Sequence, residues 1–182
     1  LGSFPISLPI TIIERNLEAK SIDYKGPVLE YVFMMQYLTY IRDALRSIEG
    51  IAELGDDWFK QRTAKVKQNF GLYLSSSWNK MLDFLKPERD ESIMELDRKR
   101  LMSFNTFFHE ICEVQPTWII SGELLLPEQI RKSIVDIMVL AYGKFIGRLL
   151  KAYGKDVEPD IVYGIRDIEK MVSRFFLLHN AI

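Results

Sequence analysis

The sequence predicts an all-α protein, folded as an elongated antiparallel helical bundle. Three observations predict it. Apolar residues recur at threes and fours along almost every segment. Val, Ile and Thr never alternate with polar residues over a strand-length window. The ten glycines and seven prolines sit mostly where such helices should stop.

Each element follows in order. Leu8 to Ile22 reads as a first helix, with Pro9 near its first turn. Gly26-Pro27 breaks the chain and opens a second helix to about Ile48. Its middle is apolar nearly all round, as suits the centre of a bundle, and Arg42, Asp43 and Arg46 face outward in its last turns. Asp56 and Asp57 suit the positive start of a third helix, which carries Val66, Phe70, Tyr73, Leu74, Met81 and Leu85 inward and stops at Pro87. Unbroken, it is about 45 Å long at 1.5 Å per residue. Gly71 is the expected place for any bend. Beyond the charged connector Glu88 to Glu91, a fourth helix covers Ser92 to Val114, with Ile93, Leu96, Leu101, Phe104, Phe108, Ile111 and Cys112 inward. Gln115 to Leu126 reads as a loop, and Pro127 opens a fifth helix to Tyr153. Gly154 to Pro159 is a second loop, and the last helix is Ile165 to Leu178. The 182 residues read as one helical unit.

Composition narrows the function. The chain is 48% hydrophobic and 27% charged, which excludes disorder. Lys plus Arg number 24 against 25 acidic residues, so no bulk polycation for nucleic acid is present, although a local basic face remains. One cysteine excludes an internal disulfide and fits a reducing compartment. One cysteine and two histidines make a structural zinc site hard to assemble. No apolar run reaches the roughly 18 residues of a membrane span, and no signal peptide is visible. The chain begins with Leu1 and reads as a fragment.

No catalytic constellation stands out. His109, Glu110, Cys112 and Glu113 resemble a zincin motif, but Glu113 stands where the second histidine belongs. Ser75-Ser76-Ser77 lies in a helix and lacks the strand-turn-helix elbow of a serine nucleophile. Phosphate-binding glycine loops are missing as well. No enzyme activity and no cofactor are expected.

Basic stripes are the better candidates. Lys144, Arg148 and Lys151 fall within about 60° of one another on the fifth helix, and Lys155 joins them if the helix continues. Phe145, Ile146, Leu149, Leu150 and Tyr153 lie opposite. The last helix repeats the pattern with Arg166, Lys170 and Arg174, diluted by Asp167 and Glu169. Such faces offer a salt-sensitive contact for an anionic surface. Lys60, Lys65 and Lys67 form a looser third group. The aromatics follow the apolar faces rather than the basic ones, which argues against nucleic acid.

Several ordered stretches resemble a known family. NLEAKSIDYKGPVLEYVFMMQYLTYI (Asn16 to Ile41) is similar to a segment of the exocyst subunit Exo-seventy. ELGDDWFKQRTAKVKQNFGLYLSSSWNKML (Glu53 to Leu82) resembles its plant form, in which GDDW opens a long helix. SFNTFFHEICEVQPTW (Ser103 to Trp118), AYGKFIGR (Ala141 to Arg148) and VYGIRDIEKMVSRFF (Val162 to Phe176) resemble further family motifs. The resemblance runs from about Leu8 to the end.

It implies the C-terminal end of a helical rod, in a diverged plant paralogue. It implies a non-catalytic role in exocytosis, linking secretory vesicles to the plasma membrane from the cytoplasmic side. The implied partners are other exocyst subunits, a small Rho-type GTPase and an anionic phosphoinositide surface. A second implied reading is a protein-docking platform in plant immunity, targeted by a pathogen effector or linked to a receptor. Two departures stand out. Where the family often reads K-Y-I-K-Y-G, this chain has Pro159-Asp160-Ile161-Val162-Tyr163-Gly164, with both lysines gone. Where the family has Asn-Asn in the second helix, this chain has Gln36-Tyr37.

Overall fold

The computed structural model describes residues 15, 26–46, 55–87, 93–118 and 125–177. The first expected helix and the Glu88 to Glu91 connector lie almost wholly outside them. Among the described residues there are helices, turns and connecting segments, and no strand. The chain divides into two compact units. One comprises Leu1–Ser76 with Ile120–Gly122, the other Ser77–Ile119 with Glu123–Ile182.

The first unit holds helix α1 (Pro27–Arg46) and most of α2 (Gly55–Ser77). Gly26 stands at φ 105°, and Pro27 then occupies the first helical position, where its missing N–H costs nothing. Val32, Phe33, Met34 and Met35 are all buried. Four consecutive buried residues circle the helix, so α1 is enclosed over that turn as expected. Its last turns meet α2: Arg42 donates to Thr63 Oγ1 at 3.4 Å, and the Arg46 guanidinium lies 5.3 Å from the Phe59 ring centre. Asp56 and Asp57 fall in the first turn of α2, as expected.

The expected long third helix is two helices. α2 ends at Ser77, and α3 runs Asn79–Leu85. The break lies at Trp78 and not at Gly71, which sits inside α2 with open space around it. The serine run weakens the helix there. Ser75 Oγ donates back to the Leu72 carbonyl, and Ser77 Oγ accepts from the buried Gln115 amide at 3.2 Å. Trp78 is 1% exposed, and its ring stands 5.9 Å from that of Phe175. The helix is thus interrupted at the residue whose side chain is buried in the second unit.

The second unit is built on α5 (Leu125–Tyr153), with α3, α4 (Met94–Val114) and α6 (Ile165–Val172) around it. Ile130, Ile134, Met138, Tyr142, Phe145 and Leu149 are all at most 1% exposed. Their spacing of threes and fours makes one apolar stripe down α5. Across from it, Phe104 stacks on Phe108 at 5.6 Å and on Tyr142 at 4.7 Å. The Tyr142 hydroxyl donates to the Tyr163 carbonyl at 2.7 Å, so the buried phenol keeps a partner. A Cβ on Gly143 would come 3.3 Å from Ile165 Cδ1, so α6 starts close against α5.

Four other expectations need correction. Ile93 and Leu96 face outward (58% and 36% exposed). The stripe of α4 passes through Leu101, Phe104 and Phe108, and the position one turn before Leu101 is Asp97, which is buried instead. Leu150 is 37% exposed, since it stands 100° around α5 from the buried Leu149. The expected loop from Gln115 to Leu126 starts as a 3₁₀ turn, Gln115–Thr117, and α5 already begins at Leu125. The last helix stops at Val172, well short of Leu178. Phe175 and Phe176 are both buried in the turn that follows it. The chain turns there, with Phe176 at φ 56° and Arg131 donating to the Phe175 carbonyl at 2.9 Å.

Candidate functional site

From Leu140 to Lys155 the chain carries four cations and no acid. Lys144, Arg148 and Lys151 lie on α5. Lys155 lies beyond the helix, which ends at Tyr153 as expected. Gly154, at φ 56°, ends α5, and Lys155 falls in the 3₁₀ turn Gly154–Asp156.

The four cations are not equivalent. Arg148 turns inward. Its guanidinium lies over the Phe145 ring at 5.1 Å and reaches Asp97 Oδ1 at 4.0 Å. The other oxygen of Asp97 accepts from the Tyr153 hydroxyl at 2.8 Å. Asp97 is 8% exposed, so Arg148 and Tyr153 together neutralise and satisfy a buried carboxylate. Lys144, Lys151 and Lys155 are exposed and form no ion pair among the described residues. These three supply the open positive charge.

The second basic group is weaker. Over its eight residues α6 carries Arg166 and Lys170 against Asp167 and Glu169, which sum to zero. Asp167 is fixed as the helix cap, accepting from the Gly164 N–H at 2.8 Å. Arg174 lies beyond the helix end, in the turn. Of the looser group, Lys60 and Lys67 border a cleft of about 480 Å³ with Arg46, Asp56 and Phe59.

Asp160 has a structural role where the family resemblance leads one to expect a basic run. Arg98 Nε meets Asp160 Oδ2 at 2.7 Å, and Arg98 Nη2 donates to the Asp156 carbonyl at 2.5 Å. Asn105 Nδ2 donates to the Asp160 carbonyl at 3.2 Å. The segment between α5 and α6 is thus clipped to α4. Val162, in the same run, is 61% exposed.

The residues first weighed for chemistry have other partners. His109 Nε2 lies 3.2 Å from Glu113 Oε1 on the surface. Among the described residues, no three His, Cys, Asp or Glu side chains gather as a metal site. Burial pushes the Cys112 thiol from its ordinary 9.0 up to about 12, opposed in part by Arg174. A raised value favours the neutral thiol. Any stability gained from it is complete below pH 9 and lost as the pH climbs toward 12. At pH 8 a thiol-exchange reagent is expected to react with folded Cys112 at least about a hundredfold more slowly than with the unfolded chain. A burst at the unfolded rate in native buffer would contradict this.

Sequence reasoning missed a groove between α3 and α5. It is lined by Leu82, Leu85, Ile137, Leu140, Lys144 and Arg148, among others, and holds about 570 Å³. Ile137, Leu140 and Lys144 are spaced by three and four, so one wall was legible. The other wall, Leu82 and Leu85 of α3, faces it only in the folded unit. None of the helices among the described residues is long and apolar enough to cross a membrane.

Comparison with known proteins places this arrangement. The family model for the C-terminal region of the Exo70 exocyst complex subunit matches residues 6–174. The chain belongs to that family. It is 40% identical over 171 residues to exocyst complex component EXO70B1 of Arabidopsis thaliana, covering 91% of this chain and 27% of that protein. Arabidopsis EXO70B2 is 34% identical over 179 residues, covering 94% of this chain and 29% of the relative. EXO70C2 is 33% identical over 175 residues, covering 91% and 25%. The chain therefore spans under a third of the length of these relatives. The all-helical bundle agrees with the family assignment, and the three open lysines belong to the family's C-terminal region.

Proposed function

We propose that this chain forms the C-terminal, membrane-facing part of an exocyst-type tethering subunit, in a plant paralogue. It acts without chemistry of its own. It helps hold secretory vesicles at the plasma membrane from the cytoplasmic side, alongside other exocyst subunits and a small Rho-type GTPase. The family match over residues 6–174 is the observation that carries this reading. The membrane contact rests on Lys144, Lys151 and Lys155, which are exposed and unpaired among the described residues. Arg166, Lys170 and Arg174 contribute less, because Asp167 and Glu169 stand among them.

The departure at residues 159–164 weakens this contact without removing it. Losing two lysines costs about 2 kcal/mol at roughly 1 kcal/mol per basic residue near an anionic bilayer. Three open lysines on α5 and its following turn offset that loss. Sedimentation with vesicles tests the point. The chain should sediment with vesicles containing phosphatidylinositol bisphosphate, and not with neutral ones. Binding should fall steeply between low and physiological salt. Equal binding to neutral vesicles, or none to anionic ones even at low salt, would overturn the membrane contact.

A further inference from the structure

The groove between α3 and α5 has an apolar floor and one charged end. Leu82 and Leu85 wall one side, Ile137, Leu140 and Ala141 the other, and the buried Phe145 closes the bottom. Leu140 is 60% exposed, so its side chain is open to a partner. Of the cations on the rim, Lys86 is held by Asp83, and Arg148 faces Asp97. At the opposite end Asp136 is bound to Lys132 at 2.6 Å. Lys144 alone brings an uncompensated charge to the groove, among the described residues.

We propose that this groove docks a short amphipathic helix of a partner protein, with its apolar side chains between α3 and α5 and an acidic side chain against Lys144. The wall from Asp136 to Arg148 is about 18 Å long at 1.5 Å per residue, or roughly three turns of a docked helix. Apolar anchors at threes and fours would reach Leu82, Ile137 and Leu140 from one helix face. The open charge selects an acidic flank by complementarity. Other occupants fit less well. A flat bilayer does not reach a floor set below Leu140. A second copy would bring its own Lys144 and Arg148 toward these, placing like charges together. Small ligands are held by sites that bury most of their surface, whereas this trough lies open to solvent.

The test is selection of displayed random peptides of about 16 residues on the whole chain, followed by anisotropy titration of the enriched peptide. Enriched peptides should carry apolar residues at threes and fours, with Asp or Glu at one end. Leu140→Asp should weaken the enriched peptide about a hundredfold. Lys144→Glu should weaken it about tenfold, with recovery when the peptide's acid becomes lysine. Leu140→Ala, with an unchanged helical spectrum and melting curve, guards against a folding artefact and should still weaken binding severalfold. No enrichment, or enriched peptides indifferent to all three variants, would overturn the proposal. So would a dimer that Leu140→Asp dissolves, or vesicle binding that Leu140→Asp abolishes. The membrane contact fails separately, since Lys151 and Lys155 lie outside the groove.

Discussion

Glutamate at Lys144, Lys151 and Lys155 together is expected to abolish sedimentation with phosphoinositide vesicles at physiological salt. These three cations are exposed and unpaired among the described residues. Each contributes roughly 1 kcal/mol beside an anionic bilayer. Removing three charges costs about 3 kcal/mol, and adding three negative ones turns attraction into repulsion. At about 1.4 kcal/mol per tenfold, binding falls by more than about a hundredfold. Arg148 is left out for a structural reason. Glutamate there would set a second carboxylate beside the buried Asp97, and loss of binding would then reflect misfolding. The milder Arg148→Lys keeps the charge and should leave vesicle binding nearly unchanged. A triple variant that binds as well as the original chain would show that α5 is not the membrane face.

Phe104→Ala is expected to lower stability by about 3–5 kcal/mol. Phe104 is 0% exposed and stacked between Phe108 and Tyr142, so its loss opens a cavity where α4 meets α5. A domain is typically stable by about 5–15 kcal/mol, so the variant should melt far earlier or fail to accumulate. Phe107 is the control. It is half-buried, meets the edge of Phe84 6.2 Å away, and carries Lys80 Nζ 4.8 Å from its ring centre. Phe107→Ala should cost about 1 kcal/mol. Equal effects of the two in chemical denaturation would show that the aromatic stack does not organise this unit.

Much of this architecture is legible in the spacing of apolar residues. α1, α4 and α5 lie within a few residues of where periodicity and Pro27 or Pro127 put them. Long helices with one apolar stripe announce themselves locally. The errors share a cause. At Trp78, and again at Phe175 and Phe176, a large side chain is buried by its partners across the unit, which overrides the helical register of its neighbours. Those partners lie far away in sequence, so a local reading continues the helix. Asp97 is a related case. An acid on an apolar stripe reads as surface until Tyr153 and Arg148, more than fifty residues later, are seen to receive it.

The candidate site is legible to the same extent. Lys144, Lys151 and Lys155 are found from spacing and composition alone. That Arg148 is committed to Asp97 is not, because the pairing crosses between helices. Balanced charge on α6 is visible in Asp167 and Glu169, and the structure adds that Asp167 is fixed as a cap. The groove beside Lys144 depends on the direction of α3, which no local pattern sets.

A membrane-facing role for this chain within an exocyst subunit is tested most directly by a chimera. In it, the matching stretch of EXO70B1 is replaced by this chain, and the product is expressed in plants lacking that relative. Recruitment of the chimera to the plasma membrane and restored secretion are predicted, both lost with the triple lysine variant. A folded, stable chimera that stays in the cytosol and restores nothing would contradict the proposed role.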